Sequence, residues 1–333
     1  MDIATHALLG ALSASLVSRH PNRRTCALAG GTAALAPDLD VLIRSAQDPL
    51  LVLEYHRHFS HSLLIAPVAA ALLTLLLWPL LRRWLPPRPL FLCALAGYVS
   101  ACLLDVCTSY GTYLFWPLIR APFSLDIIAV VDPLFTLLVL VGLIVVLKKP
   151  YSPWRWCAPV TALVYLILGY MQLQRALDYG QHWAQENGVT PERLVAKPTL
   201  ANLVLWRVLV VEESRIHALA FYLPPFAVRT YIGNSVERLD PQTWGALPPE
   251  SRAYRDLQRF HGFADQLLVA DPHNPARIGD ARYAMLPNTL EPLWGIEIDA
   301  QYPDRTPEFF TQRDSGPEVR KRFIAMLLGR SLR

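Results

Sequence analysis

Acids and imidazoles stand in the apolar half of this chain at spacings that suit a metal ion. Asp2 and His6 are four residues apart, so on a helix they share a face and can reach one ion. The competing reading makes Asp2 a helix cap and His6 a satisfied interfacial histidine. Pro37-Asp38-Leu39-Asp40 closes an apolar run, where two carboxylates are costly in lipid unless a cation, a partner or water neutralises them. A water-exposed turn with a capping Asp is the alternative there. His56-Arg57-His58-Phe59-Ser60-His61-Ser62 carries three histidines within six positions and opens into another apolar run. Neutral imidazoles of this kind suit zinc or another borderline transition metal. His56 and His61 are five apart and do not share a helix face, so a loop must bring them together. Arg57 cannot ligate a cation, but it can orient an anionic substrate or hold a carboxylate. Asp105, near the end of an apolar run with Thr108 one turn on, reads as a ligand or the partner of one. Asp132 before Pro133 reads equally well as a helix cap. Tyr113 and Trp116 read as interfacial aromatics.

The elements that must position these groups follow from composition. The chain has 333 residues, 53% hydrophobic and 17% charged, with a mean hydropathy of +0.27, outside the range of ordinary soluble domains. The apolar excess lies in residues 1–173, whereas 174–333 read as soluble sequence. The expected fold is mainly α: a polytopic membrane helical bundle of about four to six membrane segments over 1–173, followed by a small soluble α+β domain over 174–333. Leu63–Leu81, Leu90–Leu104, Pro133–Leu147 and Cys157–Leu173 approach the length that a bilayer core requires. Ile3–Val17 and Thr25–Ile43 are shorter and rich in Ala and Gly, and the second is interrupted at Pro37. They form a hairpin that either spans marginally or is partly re-entrant.

If all six segments cross, connections 18–24, 82–89 and 148–155 carry nine Arg and Lys residues, against three in 44–61 and 106–131. The positive-inside rule then puts the polar groups and the C-terminal domain on the extracytoplasmic face of the membrane. No Asp or His entered that count, yet the candidate ligands gather on one side. The start lacks the basic region of a cleaved signal peptide. The five cysteines are odd in number, without CxxC spacing, and read as small core residues. A net charge of +4 with no basic stripe gives no support for nucleic-acid binding, and no protein partner is indicated.

In the C-terminal region, Gln174–Gly188 reads as a helix leaving the membrane. Leu203–Glu212 and Ile216–Leu223 read as a hairpin, Arg282–Leu286 and Leu293–Ile298 as further strands, and Pro317–Leu328 as a helix. His217, His261 and His273 have no ligand spacing and read as surface residues.

The polar groups resemble those of a known family, the LexA-binding, inner-membrane-associated metal-dependent hydrolases. The resemblance rests on Met1-Asp2-Ile3-Ala4-Thr5-His6 with Gly10, Pro37-Asp38-Leu39-Asp40, His56-Arg57 with His61-Ser62, and Leu104-Asp105 with Tyr110-Gly111-Thr112. Phe115-Trp116-Pro117 and Val131-Asp132-Pro133-Leu134-Phe135-Thr136 extend it over about residues 1–140. It implies a bacterial inner-membrane protein that carries out metal-dependent hydrolysis, with a distant similarity to zinc-dependent phospholipase C. It also implies His6, Asp38, His56, His61 and Asp105 as ligands, with Asp40 and Asp2 as further candidates. Two departures stand out. Ala101 occupies the place, four residues before Asp105, where members commonly carry a histidine. His58 and Ser60 replace a glycine and a threonine; Ser60 keeps the hydroxyl, and His58 is a replacement ligand in this reading.

The expected function is hydrolysis of an ester or phosphoester, borne by a membrane lipid, with one or two divalent ions, zinc or manganese, activating water. Asp40 or Asp2 serves as general base, and Arg57 faces the substrate. The alternative is a non-catalytic membrane scaffold or regulator with a structural or degraded metal site, which Ala101 favours. A transporter would need polar residues at mid-membrane, and these cluster near one face.

Overall fold

Residues without side-chain bulk decide how the first helices meet. In the computed structural model, which describes residues 1–242, 244 and 247–332, α1 (Ile3–Val17), α2 (Arg23–Ala34) and α5 (Pro87–Cys107) pack backbone against backbone. A Cβ on Gly10 would stand 2.4 Å from the Ala34 Cβ, and one on Gly97 would stand 2.1 Å from the Gly30 carbonyl oxygen. Small residues are what permit such approach between helices in lipid. With α4 (Ala66–Leu81), α6 (Pro133–Lys148) and the first half of α7 (Cys157–Glu186), these helices form one compact unit: residues 1–42, 55–171 and 200–202.

Fewer helices are long enough to span than the apolar runs suggested. Among the described residues two qualify by length and hydropathy: α5, and α7 with its lead-in turn from Pro153. A third qualifies if α4 is joined to the bent segment Leu51–His61, which meets it at 87°. Helices α1 and α6, with 15 and 16 residues, extend about 22–24 Å, short of a core about 30 Å thick. Helices α1 and α6 keep their expected bounds to within a residue and are simply short, whereas two other apolar runs are broken by backbone that is not α-helical. Leu63–Ile65, counted as apolar span, lie outside α4, and the Leu63 nitrogen donates to the Leu114 carbonyl (2.9 Å). Helix α2 stops at Ala34, and Pro37–Leu42 forms a separate 3-10 turn. With two or three spans the connections no longer alternate as the six-span charge count assumed, so that count does not set sidedness.

The second unit comprises residues 172–199, 203–333 and, out of sequence, Ile43–Glu54. It holds two four-stranded antiparallel sheets rather than one. The first runs β1 (Arg193–Pro198), β2 (Leu205–Val211), β3 (Arg215–Tyr222), β4 (Arg229–Glu237), and the second β5 (Leu268–Ala270), β6 (Arg277–Asp280), β7 (Trp294–Glu297), β8 (Glu308–Thr311). Strand β2 is buried throughout because both its faces are covered. Trp206, Val208 and Val210 pack with Ala176 and Ala184 of α7, while Leu209 and Val211 pack with Leu267, Val269 and Ala281. Arg207 on this second face donates to the carbonyls of Ala281, Pro287 and Thr289, and burial pushes its pKa down to about 9. The expected hairpin is β2–β3, paired from Leu205↔Tyr222 to Val211↔Ile216. Arg282–Leu286 is not a strand: β6 ends at Asp280, and the buried Arg282 folds back onto the Asp280 carboxylate. The helix expected from Gln174 is the continuation of α7, one rod of 30 residues. Helices α8 (Arg252–Phe263) and α9 (Pro317–Leu327) complete the unit. His217 is paired with Glu212 at 2.6 Å and is largely covered, not a surface residue.

Ile43–Glu54, with the first residues of the short helix α3 (Leu51–Tyr55), is held within this second unit. Leu50 is 2% exposed in a core with Leu257 and Phe260. Arg259 on α8 grips the middle and the end of the segment, reaching Asp48 at 2.9 and 3.2 Å and Glu54 at 2.7 and 2.9 Å. The segment leaves the chain two residues after Asp40 and returns one residue before His56. Arg259→Ala should therefore speed amide hydrogen exchange across residues 44–54 several-fold while leaving β2 and β3 protected; unchanged exchange would show that Leu50 alone secures the segment.

Candidate metal centre

Four short pieces of the first unit converge. Asp2 caps α1, accepting from the Thr5 nitrogen (3.0 Å) and hydroxyl (2.6 Å), and its own nitrogen donates to the Val130 carbonyl. That start aims His6, one turn in, at the last turn of α5, where Asp105 lies. The 3-10 turn Pro37–Leu42 has three residues per turn, so Asp38 and Asp40 point to different sides. A second 3-10 turn, Phe59–His61, delivers His61. Between them Arg57 adopts φ +60°, an uncommon conformation for a residue with a side chain. The conformation lets its nitrogen donate to Asp40 (2.8 Å) and its carbonyl accept from Tyr113 (3.0 Å).

At the centre, His61 Nε2 lies 3.0 Å from Asp105 Oδ2 and 3.4 Å from Asp38 Oδ1. His6 Nε2 lies 3.2 Å from Asp105 Oδ1 and 3.8 Å from Asp38 Oδ2. The side chains of His6, His61 and Asp105 are 0–1% exposed, whereas Asp38, at 22%, faces the open side. Around them, Arg57 reaches Asp105 Oδ1 (2.8 Å) and the Thr108 hydroxyl (2.6 Å), stacked over Tyr110. The Met1 nitrogen also meets Asp105.

Asp40 sits behind His61. Its carboxylate receives the Ser60 hydroxyl (2.6 Å) and the Arg57 nitrogen, with His56 Nδ1 at 2.8 Å and His61 Nδ1 at 3.2 Å. Burial pushes the Asp40 carboxyl up, but the hydrogen bonds from His56, His61 and Ser60 outweigh it and hold it well below the usual carboxylate range. A carboxylate on Nδ1 orients the ring and leaves Nε2 for a cation.

These residues fit a divalent ion on three counts. His61 Nε2 and Asp105 Oδ2 are buried without a hydrogen-bond partner, although they face each other. Donors around a tetrahedral zinc are separated by about 3.3 Å, and the four His–Asp contacts here, which use both oxygens of Asp38 and of Asp105, run from 3.0 to 3.8 Å. Three carboxylates meet one guanidinium and the Met1 ammonium, an excess of negative charge that a cation offsets. His6, Asp38 and Asp105 by themselves place three ligand atoms within 4.8 Å of one another.

Of the expected residues, the structure brings together His6, Asp38, His61 and Asp105. It puts Arg57 against Asp105 and Asp40 against His61. His56 stands on the far side of Asp40, and Asp2 is engaged with Thr5. His58 packs among the rings of Tyr55, Tyr113 and Trp116. Asp132 caps α6 through the Phe135 nitrogen (3.0 Å) and accepts from the Tyr165 hydroxyl (2.6 Å). Tyr98 was missed: its hydroxyl donates to the Ser60 carbonyl, bracing the His61 turn. A signal existed, since Tyr98 lies seven residues before Asp105 and so on its helix face. Ala101, one turn before Asp105, is buried at 1%.

A family model described as YdjM inner membrane protein matches residues 1–176. Searches of curated proteins and of solved structures returned no match.

Proposed function

The chain belongs to the YdjM inner membrane protein family, and from that premise we propose that it is a metal-dependent hydrolase of the inner membrane, acting on an ester or phosphoester carried by a lipid. The observation that carries the reading is the set His6, Asp38, His61 and Asp105, three of them buried, in which His61 Nε2 and Asp105 Oδ2 face each other without a hydrogen-bond partner. These four would hold one ion, and two imidazoles with two carboxylates suit zinc, with manganese as a second choice. Such an ion supplies water activation and polarisation of the scissile group. Asp105 is held by Arg57, which makes Arg57 a positioning residue, and His61 is held by Asp40. Both oxygens of Asp40 are occupied, so the role of general base moves to Asp38, the one carboxylate of the three that is only partly buried, acting through the oxygen that it does not offer to the ion. Support for a lipid substrate comes from the surroundings: Ile3, Leu39, Val41, Leu64 and Leu118 are all exposed apolar side chains, two of them beside Asp38 or Asp40 in sequence.

A second reading, a structural metal site in a scaffold or regulator, is favoured by Ala101 and by the burial of three of the four donors, since catalytic sites keep an open position. One experiment separates the two. Zinc-loaded full-length protein in detergent is assayed with phosphatidylethanolamine and phosphatidylglycerol micelles and with a chromogenic phosphodiester, beside Asp40→Asn. Hydrolysis is expected in the wild type, with kcat or metal affinity reduced about 10–100-fold in the variant. Protein holding a full equivalent of metal without turnover on any of these substrates would favour the structural reading.

A further inference from the structure

The connection between β3 and β4 is Leu223-Pro224-Pro225-Phe226-Ala227-Val228, without a charge or a hydrogen-bonding side chain. Such composition is unusual at a hairpin tip, where polar turn residues prevail. Pro225, Phe226, Ala227 and Val228 are all exposed, and Phe226 is completely so, at 101%. Single exposed apolar residues are commonplace, but a contiguous apolar tip ending in an aromatic marks a surface that meets something.

The base of this loop is tied to α7. Gln172 donates to the Leu223 carbonyl (2.7 Å) and to the Leu203 carbonyl (2.8 Å), and Arg175 donates to the Leu223 and Pro224 carbonyls (3.4 and 3.2 Å). Gln172 is the residue at which the helix changes character. Val160, Leu163, Val164, Ile167, Leu168, Tyr170 and Met171 before it are exposed apolar side chains on a span-length helix, and polar residues follow. The loop is thus fastened within the first turn beyond the apolar run, about 5 Å of helix, with Arg175 and Arg229 at its base. Aromatic tips and arginines are the residues that settle at head-group level.

We propose that the 223–228 loop is a lipid-interface wedge, its Phe226 tip inserted into the bilayer surface beside α7. The two prolines limit the freedom the loop must lose on insertion. The consequence is that the second unit is anchored to lipid at a second point besides the helix that leads into it.

The test is the depth of a nitroxide at Phe226→Cys in full-length protein, with Cys107→Ser and Cys157→Ser, reconstituted into vesicles of phosphatidylethanolamine and phosphatidylglycerol. Gln301→Cys, at an exposed turn, is the aqueous control. The ratio of collision with oxygen to collision with a water-soluble nickel chelate should be several-fold higher at 226 than at 301. Equal ratios would overturn the proposal. Dipolar broadening at 226 that disappears on dilution with unlabelled protein would assign the tip to a second copy and overturn it equally. Should the label at 226 impair folding, Val228→Cys reports the same contrast.

Discussion

His61→Ala should reduce bound zinc from about one equivalent to background in detergent-purified protein while the helical content remains. His61 is the pivot of the centre: its Nε2 lies against both Asp105 and Asp38, and its Nδ1 against Asp40. Removal takes away one of four donors and also the group through which Asp40 is coupled to the rest. Three carboxylates then face one guanidinium and the Met1 ammonium, and His6, Asp38 and Asp105 leave one side of an ion without a ligand. Because a ligand that binds only the folded state stabilises it by mass action, wild-type protein should show a melting temperature that rises with added zinc and falls with a chelator. The variant should show neither response. Elemental analysis and thermal unfolding, with helicity read by circular dichroism, check both statements. Retention of metal by a folded variant would remove His61 from the ligand set, and absence of metal from wild type after reconstitution would remove the centre itself.

Gly97→Val should be the most damaging single change in the first unit. A Cβ at this position would stand 2.1 Å from the Gly30 oxygen and 2.7 Å from its carbonyl carbon. Both are backbone, so neither can turn aside as a side chain would. Helices α2 and α5 must separate, with a cost of at least about 3 kcal/mol at the upper end of overpacking effects. The damage should reach the centre as well. Asp105 lies eight residues along α5 from Gly97, and Asp38 follows directly after α2, so a shift of the two helices moves donors now 3.0–3.8 Å apart. Little monodisperse protein is expected from the membrane fraction, and what is recovered should bind zinc weakly. Gly262→Ala is the control, since nothing lies within 4 Å of the added Cβ and the position is helical; it should be neutral or slightly stabilising. Normal yield and zinc binding in Gly97→Val would mean that α2 and α5 do not meet at these glycines.

The groups at the centre were visible as Asp and His set into apolar runs, because a carboxylate in such a place needs a neutralising companion wherever the helices end. Their division of labour was not visible. Asp38 and Asp40 look equivalent in Pro37-Asp38-Leu39-Asp40, and only the three-residue period of the 3-10 turn sends one to the ligand group and the other behind His61. Asp2 and His6 share a helix face, yet Thr5 lies close enough to take both oxygens of Asp2. The span count was overestimated for a related reason. Hydropathy sums residues regardless of backbone conformation, and so Leu63–Ile65 were counted with the helix that they precede.

The sequence by itself determined an apolar helical half ahead of a mixed half, the membrane character, the β2–β3 hairpin and the residue types of the centre. These depend on composition, on short-range periodicity and on charges that cannot remain alone in lipid. Tertiary structure decided which histidine meets which aspartate, that a 12-residue segment between Asp40 and His56 folds into the second unit, and that the remaining strands form two sheets. Those outcomes depend on contacts between residues as far apart as Glu54 and Arg259, whose pairing is chosen by burial and shape across the whole fold and leaves no mark in any local window.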